Sequence, residues 1–120
     1  MKWYRVPDVE PNGQPFIKKI KPDGKNICLV GYEGEIFALS ARCPHAGEDL
    51  SRGWCKEGKL VCPIHRFSYD LETGRGSTGQ NDYVNTFPVK IKNNEVYVGI
   101  NSFWGKIKSL FKREEMDYDD

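Results

Sequence analysis

Two cysteine–histidine pairs hold the reactive chemistry of this 120-residue chain. The first is Cys43-Pro44-His45; after sixteen further residues comes Cys62-Pro63-Ile64-His65, and these are the chain's two histidines. Together they offer two thiolates and two neutral imidazoles, a complete ligand set for a metal centre. Each pair is nearly pre-closed by its own short loop, so only one larger loop must shut to assemble four ligands. Pro44 and Pro63 fix their own φ and stiffen the limbs. Neither proline has an N–H, so other backbone amides must donate to the sulfurs.

Zinc accepts the same donors in a tetrahedron, but its limbs typically hold one ligand type each, Cys-x2-4-Cys with His-x3-5-His. Mixed limbs favour an iron–sulfur centre in which two histidines replace two cysteines on one iron. A catalytic Cys–His dyad would leave the duplication without a purpose.

The limbs lie in two Gly-, Pro- and polar-rich loops, roughly 41–58 and 62–81, that a β scaffold must present. Short β-type runs surround them: Phe16–Ile20, a turn at Pro22-Asp23-Gly24, Asn26–Tyr32, a turn at Glu33-Gly34, and Glu35–Leu39. A second group comprises Lys59–Val61, Arg66–Tyr69, Thr86–Ile91 and Glu95–Ile100, the last two joined across Asn93-Asn94. Tight turns between apolar runs mark hairpins, and the regular spacing predicts an all-β antiparallel sandwich or small barrel. From Ser102 the pattern changes. Phe103, Trp104, Ile107, Leu110 and Phe111 share one helical face, which predicts a C-terminal amphipathic helix and acidic tail over 102–120. Its expected place is docked on its own sheet; a partner-docking helix is the next reading, and membrane attachment is opposed by the acidic end.

Composition narrows the role. The length suits one domain with one core. Eighteen basic against seventeen acidic residues leave a formal charge of +1, which gives no reason to propose nucleic acid as a partner. The start Met1-Lys2-Trp3-Tyr4-Arg5-Val6-Pro7-Asp8 does not resemble a signal peptide, and no apolar run reaches the length of a membrane span. A reducing cytoplasm is therefore expected, where Cys/His pairs more often bind metal than form disulfides. Cys28, in an apolar run, reads as a small buried hydrophobe, and Cys55 as a loop cysteine without a ligand role.

The chain resembles the Rieske proteins. The resemblance rests on Cys43-Pro44-His45-Ala46-Gly47, on Cys62-Pro63-Ile64-His65, and on the following Phe67-x-Tyr69-Asp70-Leu71-Glu72-Thr73-Gly74. The strand rhythm from about Trp3 to Ile100 agrees. It implies one [2Fe–2S] cluster per chain, with Cys43 and Cys62 on the buried iron and His45 and His65 on the outer iron. It also implies three antiparallel sheets in a domain over 1–101, with a cluster-binding subdomain over about 41–81.

Charge counting gives the redox consequence. An oxidised [2Fe–2S] core of about +2 is cancelled by two thiolates, whereas four thiolates would leave it two units more negative; reduction is easier at the less negative site, within roughly −150 to +300 mV. The family's high-potential branch has a disulfide between the cluster loops, where this chain has Glu48 and Ile64. It also has a serine donating to a bridging sulfide, where Phe67 stands here. Tyr69 matches a tyrosine that donates to the first cysteine's sulfur. With two of three stabilisers of the reduced form missing, the low-potential end is expected. The family often has Gly after the second histidine; Arg66 stands there and bears on the rim or the partner, not on ligation.

A terminal oxygenase of the family needs a second iron held by two further histidines, which this chain lacks. The expected function is thus a soluble, monomeric one-electron carrier, not an enzyme, between a reductase donor and an oxygenase or other acceptor. Pro44, Ala46, Pro63, Ile64 and Trp54 would form its docking collar. The alternatives are a small-subunit-like component of a nitrite-reductase-type complex and, from another class, a redox sensor or zinc-stabilised binding module.

Overall fold

The computed structural model describes residues 1–11, 14–44, 47–64, 66–80 and 82–101. The expected C-terminal helix over 102–120 therefore lies outside the described residues, as do His45, Ala46 and His65.

Among the described residues, ten strands form three antiparallel sheets. β1 (Lys2–Val6), β10 (Glu95–Ile100) and β9 (Val89–Lys92) make the first, in the order β1-β10-β9. β2 (Phe16–Ile20), β3 (Ile27–Tyr32), β4 (Glu35–Ser40) and β8 (Thr86–Phe87) make the second, in chain order. β5 (Trp54–Lys56), β6 (Lys59–Val61) and β7 (Ser68–Asp70) make the third. The three-sheet all-β expectation is met.

Local chemistry sets the turns. β3 and β4 join at Glu33-Gly34, β5 and β6 at Glu57-Gly58, and β9 and β10 at Asn93-Asn94, each pair with positive φ at both residues. Two successive left-handed residues give the turn twist that matches paired strands, and Gly and Asn adopt it most readily. The Glu57-Gly58 hairpin corrects the reading of 41–58 as loop throughout. β5 lies inside it, preceded by a single 3₁₀ turn at Leu50–Arg52 that Asp49 caps. The Glu-Gly signal used for the first hairpin was present there too.

Pro88 corrects a second boundary. The run read as Thr86–Ile91 splits at it, β8 pairing with β4 and β9 with β10 in a different sheet. Proline cannot donate to a ladder, so the break falls where the chain changes sheets. The Pro88 carbonyl still accepts from Gly99 N–H at 2.9 Å, which ties the crossing to β10.

β3 is central and buried on both faces, as its continuous apolar run requires. Ile27 and Leu29 point into a core shared with Val6, Ala38, Val96, Val98 and Ile100 of the first two sheets. Cys28 and Val30 point the other way, into a core with Leu39, Leu50, Leu60 and the residues of the third sheet. The second core carries Cys43, Cys62 and Tyr69.

Candidate metal centre

Both limbs are closed by the same backbone device. Cys43 N–H donates to Glu48 O at 2.8 Å, and Cys62 N–H donates to Phe67 O at 2.7 Å. Each cysteine thus sits at the root of a four-residue tip, 44–47 in one limb and 63–66 in the other. By sequence each tip contains one histidine. The first root is reinforced by Gly47 N–H to Cys43 O, 2.7 Å, with Gly47 at φ +71. In the second tip Arg66 has φ +57, a left-handed conformation that glycine adopts without strain. That conformation explains the glycine common at this position in the resembling proteins.

The limbs are anchored below. Asp49 accepts from Ser51 N–H at 3.0 Å and from Ser51 Oγ at 2.7 Å, and pairs with Lys19 Nζ at 3.1 Å, joining the first limb to β2. Gly53 packs so tightly that a Cβ there would lie 1.8 Å from the Val61 carbonyl oxygen. This close approach of the loop to β6 admits only glycine.

The roots bring two thiols together. Cys43 and Cys62 are fully buried in one core, with no disulfide between them. Burial raises the Cys62 thiol above its ordinary value, and the hydrogen bond and charge of Cys43 add to that; the Ile64 N–H, donating to Cys62, works the other way. This amide answers the need that Pro63 created, since it lies one residue past the proline.

The tyrosine expected beside the first cysteine is in place. Tyr69 is fully buried on β7, with Oη 3.4 Å from Cys43 Sγ and also donating to Asp82 Oδ2 at 3.2 Å. Burial first, then the hydrogen bonds and charges of Cys43 and Asp82, push its phenol up, so it stays a donor. Phe67, at the position of the family's serine, is partly buried and packs on the same core. Its side chain has no hydroxyl to offer.

Two adjacent buried thiols resist ionisation, because neither burial nor a like-charged neighbour tolerates the thiolate. A cation bound by both sulfurs reverses that balance, so this donor set fits a metal centre and is poorly suited to a merely structural core. Of the four expected ligands, Cys43 and Cys62 are among the described residues, and His45 and His65 lie outside them. Cys28 is fully buried in the same core, its thiol pushed up to about 12 by burial and by the charges of Cys55 and Asp49. Cys55 is half-buried on β5 and packs against this core. Sequence reasoning missed Asp82 and Gln80, which reach the centre through Tyr69; no local pattern marks either residue.

A model of the Rieske [2Fe-2S] domain matches residues 2–88. The chain belongs to this family. Its cofactor is a Rieske-type [2Fe–2S] cluster and its role is electron transfer. Among curated relatives, the ferredoxin subunit of a 3-phenylpropionate/cinnamic acid dioxygenase from Photorhabdus laumondii is 32% identical over 93 residues, 76% of this chain and 86% of that one. The ferredoxin component of a naphthalene 1,2-dioxygenase system from Pseudomonas putida is 26% identical over 102 residues, 84% of this chain and 98% of that one. Among solved structures, the ferredoxin of carbazole 1,9a-dioxygenase from Nocardioides aromaticivorans superposes with a TM-score of 0.71 at 22% identity, covering 81% of this chain and 98% of that one. At that identity it speaks for the Rieske fold alone.

Proposed function

We propose that this chain is a Rieske-type ferredoxin that takes single electrons from a reductase and delivers them to an oxygenase. Cys43 and Cys62 would hold the inner iron of the cluster, and His45 and His65 the outer one. When bound, the cluster supplies reversible uptake of one electron. The observation that carries the reading is the pair of neighbouring, fully buried thiols at the roots of two identically closed limbs. The protein's own part is to exclude water from the sulfur end and to donate from Ile64 N–H and Tyr69 Oη. The unit responsible is 1–101, with 102–120 as an appendage.

The relatives named as ferredoxin components of dioxygenase systems favour this reading over a nitrite-reductase-type component. A docking collar is supported by Trp54 and Ile64, exposed at 40% and 38%, with Pro44 also exposed. Small apolar contacts suit redox encounters that must release quickly. Among the described residues no helix is long and apolar enough to cross a membrane. Its compartment in this reading is a reducing cytoplasm, where Cys/His pairs more often bind metal than form disulfides.

Iron and acid-labile sulfide analysis with electron paramagnetic resonance of the dithionite-reduced protein tests the ligation. About two irons and two sulfides per chain are expected, with an average g value below that of four-cysteine clusters. Zinc without sulfide would overturn it. His65→Cys, where the cluster assembles, should lower the potential by adding negative charge. Electron delivery is tested by mixing the reduced protein with a substrate-loaded Rieske oxygenase, where single-turnover product is expected and its absence counts against an oxygenase acceptor.

A further inference from the structure

The Tyr69 hydroxyl has one proton and two claimants. Its oxygen lies 3.4 Å from Cys43 Sγ and 3.2 Å from Asp82 Oδ2. While Cys43 is a thiol there is no conflict, since the S–H can donate to Tyr69 and Tyr69 to the carboxylate. Once Cys43 is a metal-bound thiolate it can only accept. The single phenolic proton then faces two anionic acceptors.

Asp82 is held in this position. Its Oδ1 accepts from Gln80 Nε2 at 3.2 Å. Gln80 is itself oriented by Ser68: the Ser68 N–H donates to Gln80 Oε1 at 2.9 Å, and Gln80 Nε2 donates to Ser68 O at 3.1 Å. A backbone N–H only donates and a carbonyl only accepts, so the amide has one permitted orientation. Gly76 makes the arrangement possible, because a Cβ there would meet Asp82 Oδ1 at 2.5 Å and Gln80 Nε2 at 2.7 Å. Ser68 flanks Tyr69 on β7, so the whole relay hangs on the strand that presents the tyrosine.

We propose that Asp82 sets the redox poise of the centre by competing with Cys43 for the Tyr69 proton, with Gln80 as the positioning residue that holds it there. A hydrogen bond to a ligating sulfur favours the reduced, more negative state. Drawing that bond away, and placing a carboxylate beside the tyrosine, both make reduction harder. Asp82 is thus a third reason for a low potential, alongside the absence of the serine and the disulfide, whose places Phe67, Glu48 and Ile64 occupy.

The proposal makes an orientation-specific prediction for Asp82→Asn. Gln80 Nε2 can only donate, so the new amide must turn Oδ1 toward Gln80 and Nδ2 toward Tyr69. Nδ2 then donates to the phenolic oxygen, and the Tyr69 proton is left wholly to Cys43.

The test is film voltammetry of the cluster-loaded protein in a double-mutant cycle: parent, Asp82→Asn, Tyr69→Phe, and both together. Asp82→Asn is expected to raise the midpoint potential in the parent, and by less than half as much in the Tyr69→Phe background. Equal rises in both backgrounds would overturn the proposal, because Asp82 would then act by through-space charge alone. No rise in loaded Asp82→Asn would overturn it as well. Resonance Raman in heavy water gives an independent readout, since the deuterium shift of the Fe–Sγ stretches should grow in Asp82→Asn. Should that variant not load, Asp82→Ser, too short to reach Tyr69, is expected to raise the potential likewise. The proposal rests on Cys43 as a cluster ligand. Failure of that reading shows as a parent without iron and sulfide, whereas failure of this one shows only in loaded variants.

Discussion

The two faces of β3 look into cores of opposite character. One holds Val6, Ile27, Leu29, Ala38, Val96, Val98 and Ile100, all aliphatic and all nearly or fully buried. The other adds three thiols and a phenol to its aliphatic residues: Cys28, Cys43, Cys62 and Tyr69. The aliphatic face contributes burial energy, about 25 cal/mol per Å² of apolar surface, and no reactivity. The sulfur-bearing face tolerates polar atoms because they have partners, Cys43 with Tyr69 and Cys62 with Ile64 N–H. Between them the faces separate stability from redox chemistry across a single strand. Within the second core a further contrast appears. Cys28 is held protonated by its surroundings, while the two root cysteines sit beside donors and beside each other.

The largest effect should come from that contrast. Cys62→Ser is expected to abolish iron and acid-labile sulfide almost completely, while Cys28→Ala in the same core retains both. Metal analysis of the two purified variants checks it; iron retained in the first or lost from the second would erase the distinction between the cysteines.

Next in size is a truncation on the aliphatic face. Leu29→Ala should cost about 2–5 kcal/mol of stability, read from denaturant unfolding, and leave the midpoint potential unchanged. A shifted potential would show that the two cores are coupled through β3.

The smallest effect concerns acid. Burial opposes ionisation of Asp49, but hydrogen bonds from Ser51 and Lys19, with the Lys19 charge, hold its carboxyl below the ordinary value. A carboxylate with a depressed folded value contributes its stability above the unfolded value of about 4, and loses it as pH falls through the lower folded one. Asp49→Asn keeps a cap, since an amide oxygen accepts from Ser51 N–H as well as a carboxylate does, and should cost about 0.2–1 kcal/mol at neutral pH through the lost pairing with the half-exposed Lys19. Its stability should then fall less steeply than the parent's below about pH 4. Parallel acid limbs in the two proteins would remove Asp49 from the account of how the cluster-side loops are anchored.

The legible parts of this molecule were those whose cause is local. Phe16–Ile20, Lys59–Val61 and Glu95–Ile100 are strands with the bounds their apolar runs suggested, because side-chain alternation and flanking turns act within a few residues. Glu33-Gly34 and Asn93-Asn94 form the turns their residue types favour. The loops rooted at Cys43 and Cys62 are closed by backbone hydrogen bonds of equally short range. β5 was hidden because three residues between a 3₁₀ turn and a Glu-Gly pair give too little alternation to read.

The chain by itself therefore determined which residues can ligate, where the tight turns fall, and that β3 must be buried on both sides. Only the tertiary structure decided that the run through Pro88 divides between two sheets, that Cys28 shares a core with Cys43 and Cys62, and that Asp82 reaches Tyr69 from thirteen residues away. Those facts depend on contacts between segments distant in sequence. Such contacts are set by which surfaces bury each other best, and no window of neighbouring residues contains that information.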